Sequence, residues 1–247
     1  MEKRSILTIK TIILDFLFPK ICERCGGSFQ EGLSNILCRR CFDSITPYEE
    51  PACEHCGVSV PPGAFEGAEK IRCGDCGTGS YFLDHVRSFG AYEGPLRIAH
   101  HAFKFEGMES LLTELAGKMV QAVPDSYWRE GKTLVPVPQS PEKERERGYN
   151  PAGLLATELS RLTLCPAKPI LRKARSTPPQ MSLKREERLK SPKGAYEVLT
   201  GESLPDKIIL VDDVFTTGST LEECAKVLKM AGVAWVGALV LGRTARY

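Results

Sequence analysis

The spacing of apolar and polar residues divides the chain into two parts. From residue 81 onward, short runs of β-branched and aliphatic residues alternate with longer stretches in which apolar residues recur every three or four positions. The short runs predict buried strands, and the longer stretches predict helices with one apolar face. Before residue 77, strong hydrophobic runs are scarce, while glycine and proline are frequent. We therefore predict an N-terminal segment over residues 1–80 and an α/β domain over residues 81–247.

Strands alternate with helices in the second part, which favours a mainly parallel sheet. The predicted strands are residues 86–92, 133–137, 169–171, 195–198, 207–211 and 235–241. The predicted helices are residues 95–105, 108–123, 151–162 and 219–231, the third of them capped by Asn150. A polar loop over residues 173–193 is too long for a simple connection, and loops of that length are usually functional lids or disordered.

The first residues of the chain carry apolar side chains at helical spacing, from Ile6 to Leu17. This pattern predicts a short amphipathic helix that packs on the rest of the protein. Lys10 and Asp15 interrupt the apolar stretch, and no small-residue cleavage site follows it. We therefore expect neither a secretory signal nor a membrane span, and a cytoplasmic location is the default expectation.

Eight of the ten cysteines lie in the N-terminal part, as four Cys-x-x-Cys pairs. The pairs are Cys22/Cys25, Cys38/Cys41, Cys53/Cys56 and Cys73/Cys76. Two cysteines at this spacing can place both sulfurs on one cation from a tight turn, so eight thiolates predict two tetrahedral Cys₄ zinc sites. Sequential pairing is the simplest, with the first four cysteines on one ion and the last four on the other. An interleaved pairing stays open.

Zinc also explains how so polar a segment folds, since it cannot bury enough apolar surface to fold without a staple. A disulfide framework would need an oxidising compartment, and iron–sulfur clusters are less usual at this spacing. A closed Cys₄ site has no open position for a substrate, so both ions are expected to be structural. His55, inside the third pair, is expected to be a bystander, and the single Cys165 and Cys224 are expected to be core residues.

Charge adds one local feature to this picture. The net charge of +2 gives no global argument for a nucleic-acid partner. Residues 168–193, however, carry nine Lys or Arg against two Glu, a local excess of +7. Charge alone does not distinguish a basic loop that faces an anion from a charged segment that is only solvated.

A second chemical signature follows the strand predicted at residues 207–211. Asp212 and Asp213 stand where that strand is expected to end, and a polar turn then leads into a helix. The turn consists of Val214, Phe215, Thr216, Thr217, Gly218, Ser219 and Thr220. Such a turn aims backbone N–H groups and a helix N-terminus at one anion, and acids at the carboxyl end of a parallel strand lie where ligands bind. These residues suit a ligand with hydroxyl groups and a phosphate, such as a ribose 5-phosphate.

Two other interpretations of this segment are weaker. A plain N-capped helix explains one of the hydroxyl residues, but it explains neither the two acids nor the other hydroxyls. A Walker P-loop is excluded, because its G-x-x-x-x-G-K-[ST] motif does not occur here.

Residues 208–220 resemble the phosphoribosyl pyrophosphate (PRPP) loop of type I phosphoribosyltransferases over their whole length. That loop has a hydrophobic strand, two acids, two hydrophobic residues and then Thr-Thr-Gly-x-Thr. The resemblance implies that Asp212 and Asp213 bind the 2′- and 3′-hydroxyls of the ribose. It also implies that Thr216 to Thr220 cradle the 5′-phosphate and that Mg²⁺ accompanies the pyrophosphate.

More of the chain resembles one branch of that superfamily, the ComF competence family. The shared motifs are the cysteine pairs after Leu17-Phe18-Pro19, Ala91-Tyr92-x-Gly94-Pro95-Leu96, Lys104-Phe105-x-Gly107, Val135-Pro136-Val137-Pro138, Arg147-Gly148-Tyr149-Asn150, Arg172-x-x-x-x-Thr177-Pro178-x-Gln180, Glu187-Arg188 and Gly194-Ala195-Tyr196. The resemblance implies a type I phosphoribosyltransferase fold with a small N-terminal double zinc ribbon. It also implies a link to DNA uptake in natural transformation.

The resemblance implies roles for several basic residues. Arg145 and Arg147 are candidates for binding the pyrophosphate, and Lys104 is a further candidate for the ligand site. Arg172 and the basic loop resemble a mobile lid, and Arg172 joins the two aspartates as a candidate catalytic residue. Three functions stay open: transfer of phosphoribose to an acceptor that the sequence does not reveal, binding of single-stranded DNA together with competence-machinery proteins, and sensing of PRPP without catalysis.

Overall fold

A computed structural model describes residues 20–29, 35–49, 51–61, 71–74, 76–77, 79–128, 131–173, 195–199, 201 and 203–244. The amphipathic helix predicted near the N-terminus lies outside these residues. The basic loop predicted at residues 173–193 also lies outside them, apart from Lys173.

The order of elements follows the predicted alternation of strands and helices. The strands are β1 (Lys20–Ile21), β2 (Ser28–Phe29), β3 (His85–Ala91), β4 (Thr133–Pro136), β5 (Leu171–Lys173), β6 (Tyr196–Val198), β7 (Lys207–Phe215) and β8 (Trp235–Arg243). The helices are α1 (Arg39–Asp43), α2 (Gly94–Phe105), α3 (Leu112–Gln121), α4 (Pro141–Arg147), α5 (Pro151–Thr163) and α6 (Ser219–Met230). Single 3₁₀ turns, Glu109–Leu111 and Asp125–Trp128, flank α3.

The central sheet has four strands in the order β3-β8-β7-β4, and each neighbouring pair is parallel. The prediction of a mainly parallel α/β sheet is confirmed. Because all four strands run in one direction, their carboxyl ends meet at one edge of the sheet, where ligands bind in folds of this type. β5 and β6 form a separate antiparallel pair.

Apolar side chains cover both faces of the sheet, which explains why its strands read as continuous hydrophobic runs. Along β7, Ile209 and Val211 pack with residues of α2, α3 and α5. Ile208 and Leu210 point to the other face and pack with residues of α6. The two-residue period of the strand therefore divides one buried run between two cores.

Two predictions about local structure are wrong. β7 does not end before the aspartates, because Asp212, Val214 and Phe215 continue the parallel pairing with β8. Helix α4 was not predicted, since its residues bury no side chain and so show no apolar period. Residues at its two ends favour the helix instead. Ser140 caps its start, a proline lies in its first turn, and Gly148, with a φ of 86°, follows its last residue.

The segment after α1 covers the outer edge of β3. The Tyr48 N–H donates to the Phe89 carbonyl at 2.8 Å, and the Thr46 carbonyl oxygen would lie 2.5 Å from a Cβ added at Gly90. Phe42 in α1 is fully buried and belongs to the same apolar cluster as Phe89. The cysteine-rich part thus packs directly on the sheet and shields an edge strand from pairing with other chains. A domain boundary near residue 80 stays a prediction.

We expect Gly90→Ala to lower the free energy of unfolding by about 1–3 kcal/mol, because the facing atom is a backbone oxygen that cannot rotate away. Urea unfolding followed by circular dichroism measures this. Gly117→Ala is the matched control, since Gly117 lies inside α3 with no atom near an added Cβ. It should stabilise the protein by roughly 0.5–1 kcal/mol. Equal stability of Gly90→Ala and the wild type would contradict the close packing of residues 44–48 on β3.

Candidate functional site

The eight paired cysteines form two groups, and within each group the four sulfur atoms lie within 4.8 Å of one another. The first group is Cys22, Cys25, Cys38 and Cys41, and the second is Cys53, Cys56, Cys73 and Cys76. Four thiol sulfurs this close together fit one tetrahedral zinc ion. The structure therefore has the sequential grouping, and each group fits one closed zinc site.

Both groups are built on the same backbone turn. The Gly26 N–H donates to the Cys22 carbonyl at 2.8 Å, and the Gly57 N–H donates to the Cys53 carbonyl at 2.8 Å. Both glycines have a positive φ, 69° and 68°, which explains why glycine follows the second cysteine of these pairs. Burial raises the pKa of the Cys22 thiol, but backbone N–H groups outweigh burial and lower it to about 6. The turn therefore favours the thiolate, which is the form that binds metal.

The zinc prediction left out His55, Cys165 and Cys224, and none of the three belongs to a cysteine group in the structure. His55 is buried, stacks on Tyr81 with ring centroids 4.1 Å apart, and does not belong to the second cysteine group. Cys165 and Cys224 are buried in the two cores of the sheet. The predicted bystander and core roles are confirmed.

A cleft of about 660 Å³ opens at the carboxyl ends of β4 and β7. Five residues predicted to bind ligand line it: Lys104, Arg147, Asp212, Asp213 and Thr220. A smaller adjoining cavity of about 50 Å³ is lined by the rest of the predicted turn, from Val214 to Ser219, and shares Asp212 and Thr220 with the cleft. The sheet thus brings the aspartates, the turn and two cations into one continuous site.

Two predicted residues are not among those that line the cleft. Arg145 is exposed on α4. Arg172 on β5 is exposed and pairs with Glu197 on β6 at 2.7 Å. The same two elements supply different cations to the cleft, Lys143 from α4 and Lys173 from the end of β5.

Asp213 is only 8% exposed and every oxygen of its carboxylate is engaged. Its Oδ2 accepts from the Lys104 ammonium and lies 3.1 Å from His100 Nε2. Its Oδ1 accepts the Val214 N–H at 2.8 Å. The other ring nitrogen of His100, Nδ1, lies 2.7 Å from the Tyr92 hydroxyl. A buried network therefore runs from the end of β3 through α2 to the end of β7.

The pKa values of the two adjacent aspartates are shifted in opposite directions. Burial raises the pKa of Asp213, but the hydrogen bond from His100 and the charge of Lys104 outweigh burial and hold that pKa well below its usual range. Burial and then the negative charge of Asp213 raise the pKa of Asp212 to about 8. Asp213 is therefore the anion of the pair, and Asp212 is the carboxylate that takes up a proton more readily.

Sequence reasoning missed His100 and Tyr92 as parts of the site. The sequence pattern that could have identified His100 lies in α2, whose buried face carries Leu96, Ala99 and Phe103. His100 is a polar residue on that apolar face, and it stands four positions before Lys104, so both side chains project in the same direction. A polar side chain buried on an apolar face needs a hydrogen-bond partner, and here one partner is Asp213.

The turn that follows β7 depends on a glycine. Gly218 caps α6 with a φ of 78°, and a Cβ at this position would lie 2.5 Å from the ring of Phe215. The Thr217 hydroxyl lies 3.0 Å from the Ser219 hydroxyl and accepts the Ser219 N–H at 3.4 Å. The aromatic floor and the positive φ together shape a turn that only glycine allows.

A buried arginine connects this turn to the second cysteine group. Arg243 is 4% exposed, its guanidinium donates to the Cys56 carbonyl at 3.3 Å, and it lies 5.0 Å from the centroid of the Phe215 ring. Burial raises the pKa of the Cys56 thiol, and the charge of Arg243 opposes that rise. A Cys₄ zinc centre carries two net negative charges, so a guanidinium beside it compensates a buried charge.

Comparison with known proteins matches both parts of the chain. A family model described as a double zinc ribbon domain matches residues 13–77. Competence protein F of Haemophilus influenzae is 32% identical over 219 residues, which cover 86% of this chain and 92% of that protein. The chain belongs to the ComF competence family.

Other ComF relatives are more distant but also extend over both parts. Competence protein ComFC of Bacillus subtilis is 27% identical over 234 residues, which cover 87% of this chain and 90% of that protein. DNA utilization protein YhgH of Escherichia coli K12 is 27% identical over 234 residues, which cover 92% of this chain and 98% of that protein. Within the parts of this ComF chain that the structure describes, no helix has the length and apolar character to cross a membrane.

We expect Cys41→Ser to lose one of two bound zinc ions per chain, because three sulfurs no longer close a tetrahedral site. Elemental analysis of the purified protein measures the zinc content. Cys165→Ser is the matched control, since Cys165 is also buried but stands outside both groups, and it should keep both ions. A wild-type protein that carries fewer than two zinc ions after metal-replete expression would contradict the two-site structure.

Proposed function

We propose that this chain binds PRPP with Mg²⁺ in the cleft and transfers its phosphoribosyl group to an acceptor, in a role connected with DNA uptake. The observation that carries the proposal is the buried anion Asp213 beside Asp212, immediately before the Gly218 turn at the start of α6. Carboxylates accept hydrogen bonds from ribose hydroxyls. Backbone N–H groups at a helix N-terminus bind phosphate.

Size and charge support the same ligand. The small cavity inside the turn suits the 5′-phosphate, and the aspartates at its entrance suit the ribose. The larger cleft is lined by Lys104, Arg147 and, from α4 and β5, two further lysines. Pyrophosphate is strongly anionic, and cations on the cleft wall stabilise it in the bound state. Mg²⁺ prefers oxygen ligands and phosphate oxygens, so the Asp212 carboxylate in the cleft is the residue best suited to share the ion with the ligand.

The transfer follows from these groups. The bond between C1 of the ribose and the pyrophosphate oxygen breaks, and its electron pair leaves with the pyrophosphate. Lys104 and Arg147 neutralise the charge that develops there, and Mg²⁺, when bound, would supply further positive charge. The ribose passes through an oxocarbenium-like state that the nearby anion Asp213 stabilises. The lone pair of the acceptor then forms the new bond to C1, and the acceptor releases a proton.

We expect Asp213→Asn to weaken binding of Mg²⁺-PRPP by roughly tenfold or more and to abolish pyrophosphate release, because the amide cannot replace a buried anion. Calorimetry and a coupled pyrophosphate assay measure the two effects. Asp125→Asn is the control, since Asp125 is exposed in the turn before β4 and away from the cleft. A wild-type protein that does not bind PRPP at millimolar concentration would contradict the proposal. Tight binding without pyrophosphate release across bases, ammonia and nucleic acids would make the protein a PRPP sensor.

A second candidate function, binding of single-stranded DNA, is favoured by one residue at the mouth of the cleft. Phe105 is 58% exposed, with the Arg147 guanidinium 5.1 Å and the Lys104 ammonium 5.7 Å from its ring centroid. An exposed aromatic ring between cations can stack a base and neutralise the phosphate beside it. Relatives named for competence and for DNA utilization support a role with DNA.

We expect Phe105→Ala to weaken binding of a fluorescent single-stranded oligothymidine by roughly tenfold, since base stacking on an aromatic contributes about 1–3 kcal/mol. Fluorescence anisotropy at two salt concentrations measures the affinity and separates stacking from charge. Phe82→Ala is a close control, because Phe82 is 45% exposed and has the Lys226 ammonium 5.8 Å from its ring. Equal losses in the two variants would count against a DNA site at the cleft.

A further inference from the structure

We propose that His100 is a positioning residue that holds the Asp213 carboxylate in one orientation, and that Tyr92 holds the other ring nitrogen of His100. The three side chains come from three elements that meet under the cleft: the end of β3, the middle of α2 and the end of β7. The effect on a ligand rests on the proposed function, whereas the arrangement of the three side chains does not.

The geometry assigns the protons of this network. An ionised carboxylate only accepts hydrogen bonds, so the His100 Nε2 that lies 3.1 Å from Asp213 must carry a hydrogen. In a neutral imidazole the other nitrogen then accepts, so the Tyr92 hydroxyl donates to Nδ1 at 2.7 Å.

His100 and Lys104 differ in how easily each can leave Asp213. The Lys104 side chain is 24% exposed, lines the cleft and sits on a flexible four-carbon stem. It can therefore turn toward an anionic ligand. His100 is enclosed in the core and has a rigid ring held at both nitrogens, so it cannot follow. When a ligand draws Lys104 away, His100 is the side chain that still fixes Oδ2 of Asp213.

The backbone fixes the other half of the carboxylate. Oδ1 of Asp213 accepts the Val214 N–H at 2.8 Å, and the Asp213 N–H donates to Asp212 Oδ1 at 2.9 Å. With His100 on Oδ2, the carboxylate cannot rotate without losing a buried hydrogen bond. The release of Lys104 then frees a directed acceptor position on Oδ2 for a hydroxyl group. Such a fixed acceptor binds a ribose more tightly than one that must first be ordered.

Three variants test this role. His100→Leu keeps an apolar volume of similar size but removes the donor, and His100→Gln restores an N–H group near the position of Nε2. Tyr92→Phe removes only the hydroxyl that holds Nδ1 of His100. We expect His100→Leu to weaken Mg²⁺-PRPP binding by roughly tenfold, Tyr92→Phe to weaken it less, and His100→Gln to recover most of the affinity. Calorimetry measures the affinities, and thermal unfolding without ligand measures stability separately.

The outcomes separate positioning from a purely structural role. Loss of stability in His100→Leu with wild-type affinity for PRPP in the folded fraction would overturn the proposal. Failure of His100→Gln to recover affinity while its stability recovers would also overturn it. Recovery of affinity by His100→Gln, with no matching change in stability, is the result that a positioning residue requires.

A second measurement needs no ligand. Long-range ¹⁵N–¹H spectra of the imidazole rings should show His100 as the Nε2–H tautomer in the wild type, assigned by the signal that His100→Gln loses. An Nδ1–H tautomer in the wild type would overturn the inference. If the tautomer is as expected and the wild type binds no PRPP, the proposed function fails while the positioning of Asp213 by His100 stands.

Discussion

The parallel pairing of β7 with β8 continues past the last aliphatic residue of the strand, and the site depends on that extension. Backbone hydrogen bonds hold residues 212–215 extended, so their side chains keep alternating between the two faces of the sheet. Asp213 follows Ile209 and Val211 onto the face covered by α2, where His100 and Lys104 meet it. Asp212 follows Leu210 onto the face covered by α6. The alternation explains why two adjacent carboxylates have opposite pKa shifts: one meets two cationic or donor groups, and the other meets burial and its neighbour's charge.

The features that sequence predicted are those that a local pattern encodes. The alternation of strands with helices, the Asn150 cap and the ligand chemistry of the cysteine pairs all belong to this class. The extension of β7 could not be predicted, because pairing with β8 overrides the polarity of two aspartates. Helix α4 could not be predicted from hydrophobic periodicity, because it buries no side chain. Only the residues at its ends indicate a helix. The pairing of the cysteine groups needed the three-dimensional structure, since spacing alone does not exclude an interleaved arrangement.

The cysteine-rich part is joined to the sheet by packing and not only by a linker. Phe42 shares a core with Phe89, and the close approach of Thr46 requires a glycine at position 90 of β3. The first cysteine group contributes Cys22 and Cys41 to that same core. Zinc bound by the first cysteine group would order a segment that covers an edge of the central sheet, so loss of metal should expose both apolar surface and an unpaired strand.

Two cations, the buried Arg243 and the partly exposed Lys104, lie near the turn that begins α6. Arg243 is enclosed between the second cysteine group and Phe215, whose ring lies directly beneath Gly218. Its charge is compensated by the thiolates, so moving it would leave a buried charge unpaired, which is strongly unfavourable. Lys104 is partly exposed, and its partner Asp213 has a second donor in His100. Asp213 therefore keeps a hydrogen-bond donor even where Lys104 turns toward the cleft. The second cysteine group, through Arg243 and Phe215, supports the turn from the opposite side.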